Sequence, residues 1–375
     1  MAHLSRPELE SALLQSARQG PPLVLTGPPG AGKTTLLRQL AKHLAAEGSV
    51  PIYLDLMGAC STPERFVVAA LRAVPAEGLG RRLPQATEIR RLADSGRLHG
   101  VDAANALFQL WATLDEAEGR PVVLLLDEAT EIRSLSYFPG LRHVQDPFAV
   151  ALGARRRGTI LATSFPTAAR KLWSFETLAA RPLTANEIAS AVDSRAEADA
   201  LARLSCGWPG YVSILLEAMA GNPGDVASVW ADEMALGRRL ESACRHSYET
   251  LLLRSRGYGI CKAALGVIAH EEGLNLTALV PRLGRTPGAV RDYLQWLVGV
   301  DAIRMVKKRY VYVDGVLRQW VRLHARGSVP SRSELSAAAR ELLSAETASP
   351  TLPAPESEPL SPTSTSRRDS LIEID

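Results

Sequence analysis

Apolar residues recur at helical spacing from Pro7 to Gln19, then close up into the unbroken run Leu23 to Thr26 that leads into a glycine-rich loop. The first pattern predicts an amphipathic helix and the second a short buried strand. Further strands are expected at Val50 to Leu56, at Val122 to Leu126 behind Arg120-Pro121, at Thr159 to Ser164 and near Phe175 to Leu178. Continuous β-branched and aliphatic runs separated by helical stretches describe a parallel sheet with helices on both faces, joined by right-handed crossovers. From Leu183 to about His246 the β-rich runs stop. Thr184, with Glu187 three residues later, has the spacing of a capping box that opens an all-helical stretch.

From about Tyr248 to Arg326 the pattern changes again, to helices followed by two short strands, Ala302 to Val306 and Arg309 to Val313, around Lys307-Lys308. Within it Leu276 to Leu283, a turn at Gly284, and Thr286-Pro287 opening a helix through Val298 read as helix-turn-helix, with Thr286 as N-cap and Pro287 at the first helical position. Leu294, Leu297 and Val298 supply its buried face. Helices followed by a hairpin give a winged-helix outline. Past Ser328 a last helix around Glu334 to Leu343 gives way to a Ser/Pro/Thr/Glu-rich tail too polar to bury a core, expected to be disordered. The expected fold is therefore α/β, a parallel sheet with helices on both faces followed by a helical lid and a winged-helix domain. The divisions fall at 1–181, 182–247, 248–327 and 328–375.

Composition narrows this picture in four places. A chain of 375 residues with 46% hydrophobic content is large for one core, in keeping with several domains. Cys60, Cys206, Cys244 and Cys261 have no metal-ligand spacing and no sign of a disulfide framework, which suits a reducing cytoplasm. Neither a signal-peptide core at the N-terminus nor a membrane-length apolar run is present in the sequence, so no membrane partner is expected. The formal net charge of +3 says little, but Thr250 to Arg326 carries 13 Lys and Arg against 5 Asp and Glu. That local excess makes Arg285, Arg291 and the hairpin cations Lys307, Lys308 and Arg309 candidates for phosphate or base contact with double-stranded DNA. A protein-protein role for the same module is the competing reading.

The chemistry concentrates at Gly27-Pro28-Pro29-Gly30-Ala31-Gly32-Lys33-Thr34, which matches G-x-x-x-x-G-K-[ST] between a strand and a helix. Glycines let backbone amides curl around phosphate oxygens, the helix N-terminus adds partial positive charge, and Lys33 neutralises the β- and γ-phosphates of ATP. Thr34 offers a hydroxyl to Mg²⁺, and Thr35 is placed to reach the α-phosphate. Asp127, at the end of an apolar strand, can hold Mg²⁺ through water while Glu128 orients the attacking water, so Glu128 and Lys33 are the catalytic candidates. Thr163 and Ser164 end the next strand and are candidate sensors of the γ-phosphate, or merely strand-ending caps. Arg133, Arg155 to Arg157, Arg170 and Arg181 lie where one could act as a finger in a neighbouring subunit, although solvated surface charge is their simpler reading.

On Gly27 to Thr35, Val122 to Glu128, Thr159 to Ser164, Arg181 to Glu187 and Gly207-Trp208-Pro209, the chain resembles the AAA+/STAND P-loop ATPases of the archaeal-type group over about residues 7 to 325. The resemblance implies that Pro209 contacts the adenine, with Gly207 allowing close approach. Gly207 to Tyr211 lacks the arginine that many such proteins carry as a second sensor, and no finger arginine stands out. A slow, nucleotide-controlled switch, with ATP and ADP as ligands and self-assembly as one output, fits better than a ring motor. A DNA-bound helper ATPase in transposition, replication or defence, and a regulator that senses ATP without hydrolysing it, remain alternatives. The closing Arg367 to Asp375 segment is a candidate docking strand for a protein partner.

Overall fold

The computed structural model describes residues 4–74, 91, 100–117, 119–221, 224–325 and 327–344. The polar tail and its closing segment lie outside them. Helix α1 (Pro7–Gln19) leads to β1 (Leu23–Thr26), and the glycine loop then opens α2 (Lys33–Ala46). Next come β2 (Val50–Asp55), α3 (Leu56–Ala59), α4 (Pro63–Ala73) and α5 (Gly100–Thr113). The second strand thus stops one residue short of its expected end. The Asp55 carboxylate accepts from the amides of Met57 and Gly58 and turns Leu56 into a helical start.

A two-residue strand β3 (Glu116–Ala117) pairs antiparallel with β4 (Arg120–Asp127), which is followed by a 3-10 segment from Ala129 to Tyr137 and by α6 (Gln145–Gly153). Strand β5 (Thr159–Thr163), α7 (Pro166–Leu172) and β6 (Glu176–Ala179) complete the sheet. The main strands are parallel in the order β2-β4-β5-β1-β6. Strand alternation divides the core between the two faces. Val123 and Leu125 join Leu25, Ile160, Ala162 and Leu37 on one side, whereas Val122, Leu124 and Leu126 join Phe66, Phe108 and Trp111 on the other. Arg155 locks one end of the sheet. Its buried guanidinium donates to Thr159 Oγ1 and to the carbonyls of Trp111, Leu114 and Val122 at 2.7–3.0 Å, and burial lowers its pKa to about 10.

Beyond the sheet the described chain is helical: α8 (Ala185–Ile188), α9 (Arg195–Leu204), α10 (Pro209–Gly221), α11 (Val226–Glu233), α12 (Arg239–Arg254) and α13 (Tyr258–His270). The expected capping box is present, with Thr184 Oγ1 accepting from the Glu187 amide and Glu187 accepting from the Thr184 amide. Helices α14 (Leu276–Leu283) and α15 (Pro287–Gly299) are separated by Gly284 at φ 59°, and the Thr286 hydroxyl caps α15. An antiparallel hairpin of β7 (Ile303–Val306) and β8 (Arg309–Tyr312) follows. Its turn residues Lys307 and Lys308 are both left-handed, as a tight two-residue hairpin requires. Helices α16 (Gly315–His324) and α17 (Arg332–Ser344) end the described chain, and no helix among the described residues is long and apolar enough to cross a membrane.

Candidate nucleotide-binding site

The loop between β1 and α2 turns on two glycines, Gly30 at φ 81° and Gly32 at φ 80°, a backbone region that other residues enter at a cost. Its base is tied to the neighbouring strand by the Gly27 amide on the Thr163 carbonyl at 3.3 Å. Lys33 is buried, and its ammonium donates to the carbonyls of Gly27 at 2.8 Å and Pro28 at 3.0 Å and to Ser164 Oγ at 2.9 Å. Burial pulls the Lys33 pKa down while Glu128 and Asp127 pull it up. Thr34 and Thr35 sit in the first turn of α2, directly after Lys33.

Both candidate carboxylates lie at the C-terminal end of β4, and their surroundings differ. Asp127 is almost fully buried; one oxygen accepts from the Glu128 amide at 3.1 Å and the other from the Tyr53 hydroxyl at 2.9 Å. Glu128 adopts φ 45°, a left-handed conformation uncommon for glutamate, and this aims its carboxylate at Ser164. There it accepts from the Ser164 amide at 2.9 Å and from the Ser164 hydroxyl, and lies 3.9 Å from the Lys33 ammonium. Ser164 therefore joins the lysine to the glutamate. Of the two sensor candidates it alone faces the loop. Thr163, the last residue of β5, points the other way, its hydroxyl 2.8 Å from that of Thr130, while Ser164 lies just past the strand, one residue beyond the observed end.

Helix α10 closes against the glycine loop. The Gly210 amide donates to the Gly30 carbonyl at 2.8 Å, and a Cβ on Gly210 would lie 3.0 Å from the Gly30 Cα and carbonyl oxygen. Pro209 packs beside Gly32, whose added Cβ would meet the proline ring at 3.5 Å. Gly207 does allow a close approach, but to the chain entering the helical region: a Cβ there would fall 2.4 Å from the Leu183 carbonyl oxygen. Among the finger candidates, Arg155 is sequestered in the sheet and Arg181 is paired with Glu187 at 2.7 Å, while Arg133, Arg156 and Arg170 are exposed.

Three residues at this site escape a reading of the sequence. Arg6 is 2% exposed and donates to the Ala31 carbonyl at 3.0 Å, and its Nη1 has no hydrogen-bond partner among the described residues. Burial lowers its pKa to about 10. Tyr53 reaches Asp127 from β2, and Gly210 reaches the loop from α10. No local motif marks any of them, since each is brought in by an element distant in sequence.

DNA-contact candidates gather on the C-terminal part. Arg285, Arg291, Lys307 and Lys308 are exposed, at the α14–α15 turn, on α15 and at the hairpin tip. Arg309 is exposed too, but its guanidinium is drawn back onto the Gly273 carbonyl at 2.8 Å.

Residues 7–142 match the family model of the AAA ATPase domain. No curated protein matches the chain in sequence. Among solved structures, the Walker-type ATPase of Pyrococcus abyssi is similar with a TM-score of 0.62 and 15% identity, over 85% of this chain and 96% of that one. Cdc6p of Pyrobaculum aerophilum aligns with a TM-score of 0.38 and 14% identity, over 90% and 92% of the two chains, too distant to bear on the reading. Residues 7–142 are thus similar to the AAA ATPase domain, and the parallel sheet with its flanking helices has the P-loop α/β fold.

Proposed function

We propose that the protein binds ATP with Mg²⁺, hydrolyses it slowly, and uses the nucleotide state to set the position of its C-terminal part. In this reading 1–181 is the ATPase core, 182–247 a helical lid, 248–327 a winged-helix module and 328–375 a short helix and tail. The observation that carries it is the Lys33–Ser164–Glu128 connection, because Ser164 runs straight into a segment gripped by the C-terminal part. Phe165 lies under the Arg254 guanidinium at 4.4 Å, Arg254 pairs with Glu131 at 2.7 Å, and Asp301 accepts from both the amide and the hydroxyl of Thr167.

The residues suit these ligands. A triphosphate asks for amides at a helix N-terminus and a fixed cation, and Gly27 to Thr35 with Lys33 offers both, with the orphaned Nη1 of Arg6 as a further buried donor beside the loop. A phosphate oxygen is a stronger acceptor for Lys33 than the carbonyls that hold it at 2.8 and 3.0 Å. Thr34 and Asp127 are hard oxygen donors of the kind Mg²⁺ takes. The ion, when bound, neutralises charge on the β- and γ-phosphate oxygens. Glu128 holds the attacking water and accepts its proton, and Ser164, bonded to Glu128 and Lys33, senses whether the γ-phosphate is present. Pro209 and Gly32 pack together where the lid meets the loop, which supports a base contact for Pro209.

Two substitutions test this together. Lys33→Ala should abolish tight binding of a fluorescent ATP analogue. Glu128→Gln should keep binding while lowering turnover by about a hundredfold, because an amide is a poor proton acceptor. Turnover at the wild-type rate in Glu128→Gln would remove the role given to that residue, and unchanged affinity in Lys33→Ala would remove the site. Mass measured with ADP and with a non-hydrolysable ATP analogue reports self-assembly. The exposed cations on the C-terminal module favour a second reading within the first, in which that module contacts duplex DNA.

A further inference from the structure

Strands β2 and β4 run side by side with Tyr53 opposite Leu125 and Asp55 opposite Asp127. Residues two apart on a strand share a face, so Tyr53, Leu125 and Asp127 all project towards α2, the helix that begins at Lys33. The tyrosine ring is held there between two polar contacts. The Arg38 guanidinium of α2 lies 5.5 Å from the ring centroid, and the phenol donates to Asp127 Oδ2 at 2.9 Å. The Glu128 amide takes the other oxygen, Oδ1, at 3.1 Å. Asp127 has therefore one fixed orientation, set from the neighbouring strand as well as from its own backbone.

We propose that Tyr53 is a positioning residue for Asp127, fixing the carboxylate in the orientation in which it serves Mg²⁺. This rests on the reading of Asp127 as a magnesium-side carboxylate. A carboxylate that holds a metal through water has two demands to meet: both oxygens aimed, and no competing rotamer. The amide of Glu128 meets half of the first demand, since a single bond to one oxygen leaves the carboxylate free to turn about it. The phenol meets the rest. It is a neutral donor and keeps its proton, because burial first and then the adjacent Asp127 raise its pKa to about 12. The phenol thus serves as a hydrogen-bond donor that sets the direction of the carboxylate. Partners of this kind, which orient a metal's ligand without touching the metal, typically change metal affinity by ten- to a hundredfold when removed.

The test uses the full chain and a fluorescent ATP analogue, titrated with EDTA present and then across a series of Mg²⁺ concentrations. Tyr53→Phe removes only the hydroxyl. Its affinity for the analogue in EDTA should equal that of the wild type, while the Mg²⁺ concentration giving half of the magnesium-dependent gain should rise about tenfold. In an Asp127→Ala background the same substitution should add nothing, because the group it orients is gone. A half-point for Mg²⁺ that does not move in Tyr53→Phe, or equal effects with and without Asp127, would overturn the assignment. Melting followed by circular dichroism confirms that the variant is folded; should it fail to fold, Arg38→Gln, which loosens the ring from the other side, should shift the half-point in the same direction by a smaller factor, and no shift there would overturn it equally. Wild-type binding that is indifferent to Mg²⁺ would instead refute the magnesium reading of Asp127, and this inference with it, whereas magnesium dependence that Tyr53→Phe leaves untouched would refute this inference alone.

Discussion

Replacing Asp301 with asparagine should stabilise the protein at pH 8, although it deletes a hydrogen-bonded carboxylate. Asp301 sits in the turn between α15 and β7 and accepts from the Thr167 amide at 3.0 Å and the Thr167 hydroxyl at 2.6 Å. Burial raises its pKa from 3.8 to about 6, against the lowering effects of the Thr167 bonds and of Arg170 and Lys171. With the folded pKa above the unfolded one, the native state holds the proton more tightly. The contribution to stability is complete below about pH 3.8 and is lost as the pH rises through about 6. A shift from 3.8 to about 6 corresponds to ~3 kcal/mol, the cost of carrying the half-buried carboxylate ionised rather than neutral. Asparagine escapes that cost, keeps one acceptor for Thr167, and suits the left-handed backbone at φ 56°. Loss of the second acceptor costs about 1 kcal/mol, leaving a net gain of roughly 1–2 kcal/mol at pH 8, or a few degrees in the thermal midpoint. Thermal melts of both proteins from pH 4.5 to 8 supply the measurement, and their difference isolates this group because every other titrating residue is shared. A difference that stays constant across that range, or an asparagine variant that melts lower at pH 8, would refute the reasoning.

Gly210→Ala should leave the melting temperature nearly unchanged, since the helix gains about 1 kcal/mol from alanine while the new Cβ presses on Gly30 at 3.0 Å; calorimetric titration should nevertheless find ATP bound about tenfold more weakly as the loop backbone shifts, and unaltered affinity would show that the lid contact does not shape the loop. If the hairpin tip follows DNA phosphates, Lys307→Asn with Lys308→Asn, chosen because asparagine tolerates the left-handed turn, should flatten the salt dependence of duplex binding by about one unit of slope per lost contact. Arg309→Ala should add little, its guanidinium being held by Gly273. Failure of the intact protein to bind duplex at low salt, with or without nucleotide, would assign the module to protein contacts.

The strands were legible because a parallel sheet buried on both faces demands continuous apolar runs, and Leu23 to Thr26 and Val122 to Leu126 are such runs. The helix starts at Thr184 and Thr286 were equally plain, because capping is local chemistry spread over four residues. The glycine-rich loop between β1 and α2 was legible for the same reason. Thr163 and Ser164 mark where this kind of reading ends. Both are hydroxyl residues at the end of one strand, Thr163 its last residue and Ser164 the first beyond it, and only their partners on other elements show Ser164 turned to the loop and Thr163 to Thr130. Arg6, Tyr53 and Gly210 lie further out of reach, since each is defined by a partner on another element: Ala31, Asp127 and Gly30.

The same long-range contacts bear on how a nucleotide would be felt at a distance. On one side of the glycine loop, the Gly30 carbonyl accepts from the Gly210 amide; the next residue, Tyr211, donates to Asp314 Oδ2 at 2.7 Å, and Asp314 caps α16 through the amides of Val316 and Leu317. On the other side, Ser164 contacts Lys33 and leads within three residues to Thr167, which Asp301 holds. Both routes end on the C-terminal part, one at the start of α16 and one just before β7. In the proposed switch, a movement of the loop at Gly30 and a movement of Ser164 would reach two points about a dozen residues apart in the C-terminal part. Because packed interiors deform little, a unit held at two points answers a change at either by moving as a body. This supports coupling by displacement of the whole C-terminal part, and it sets a condition on the switch: loosening the Asp301–Thr167 contact or the Gly210–Gly30 contact alone should weaken the coupling, while loosening both should leave nucleotide binding without a C-terminal response.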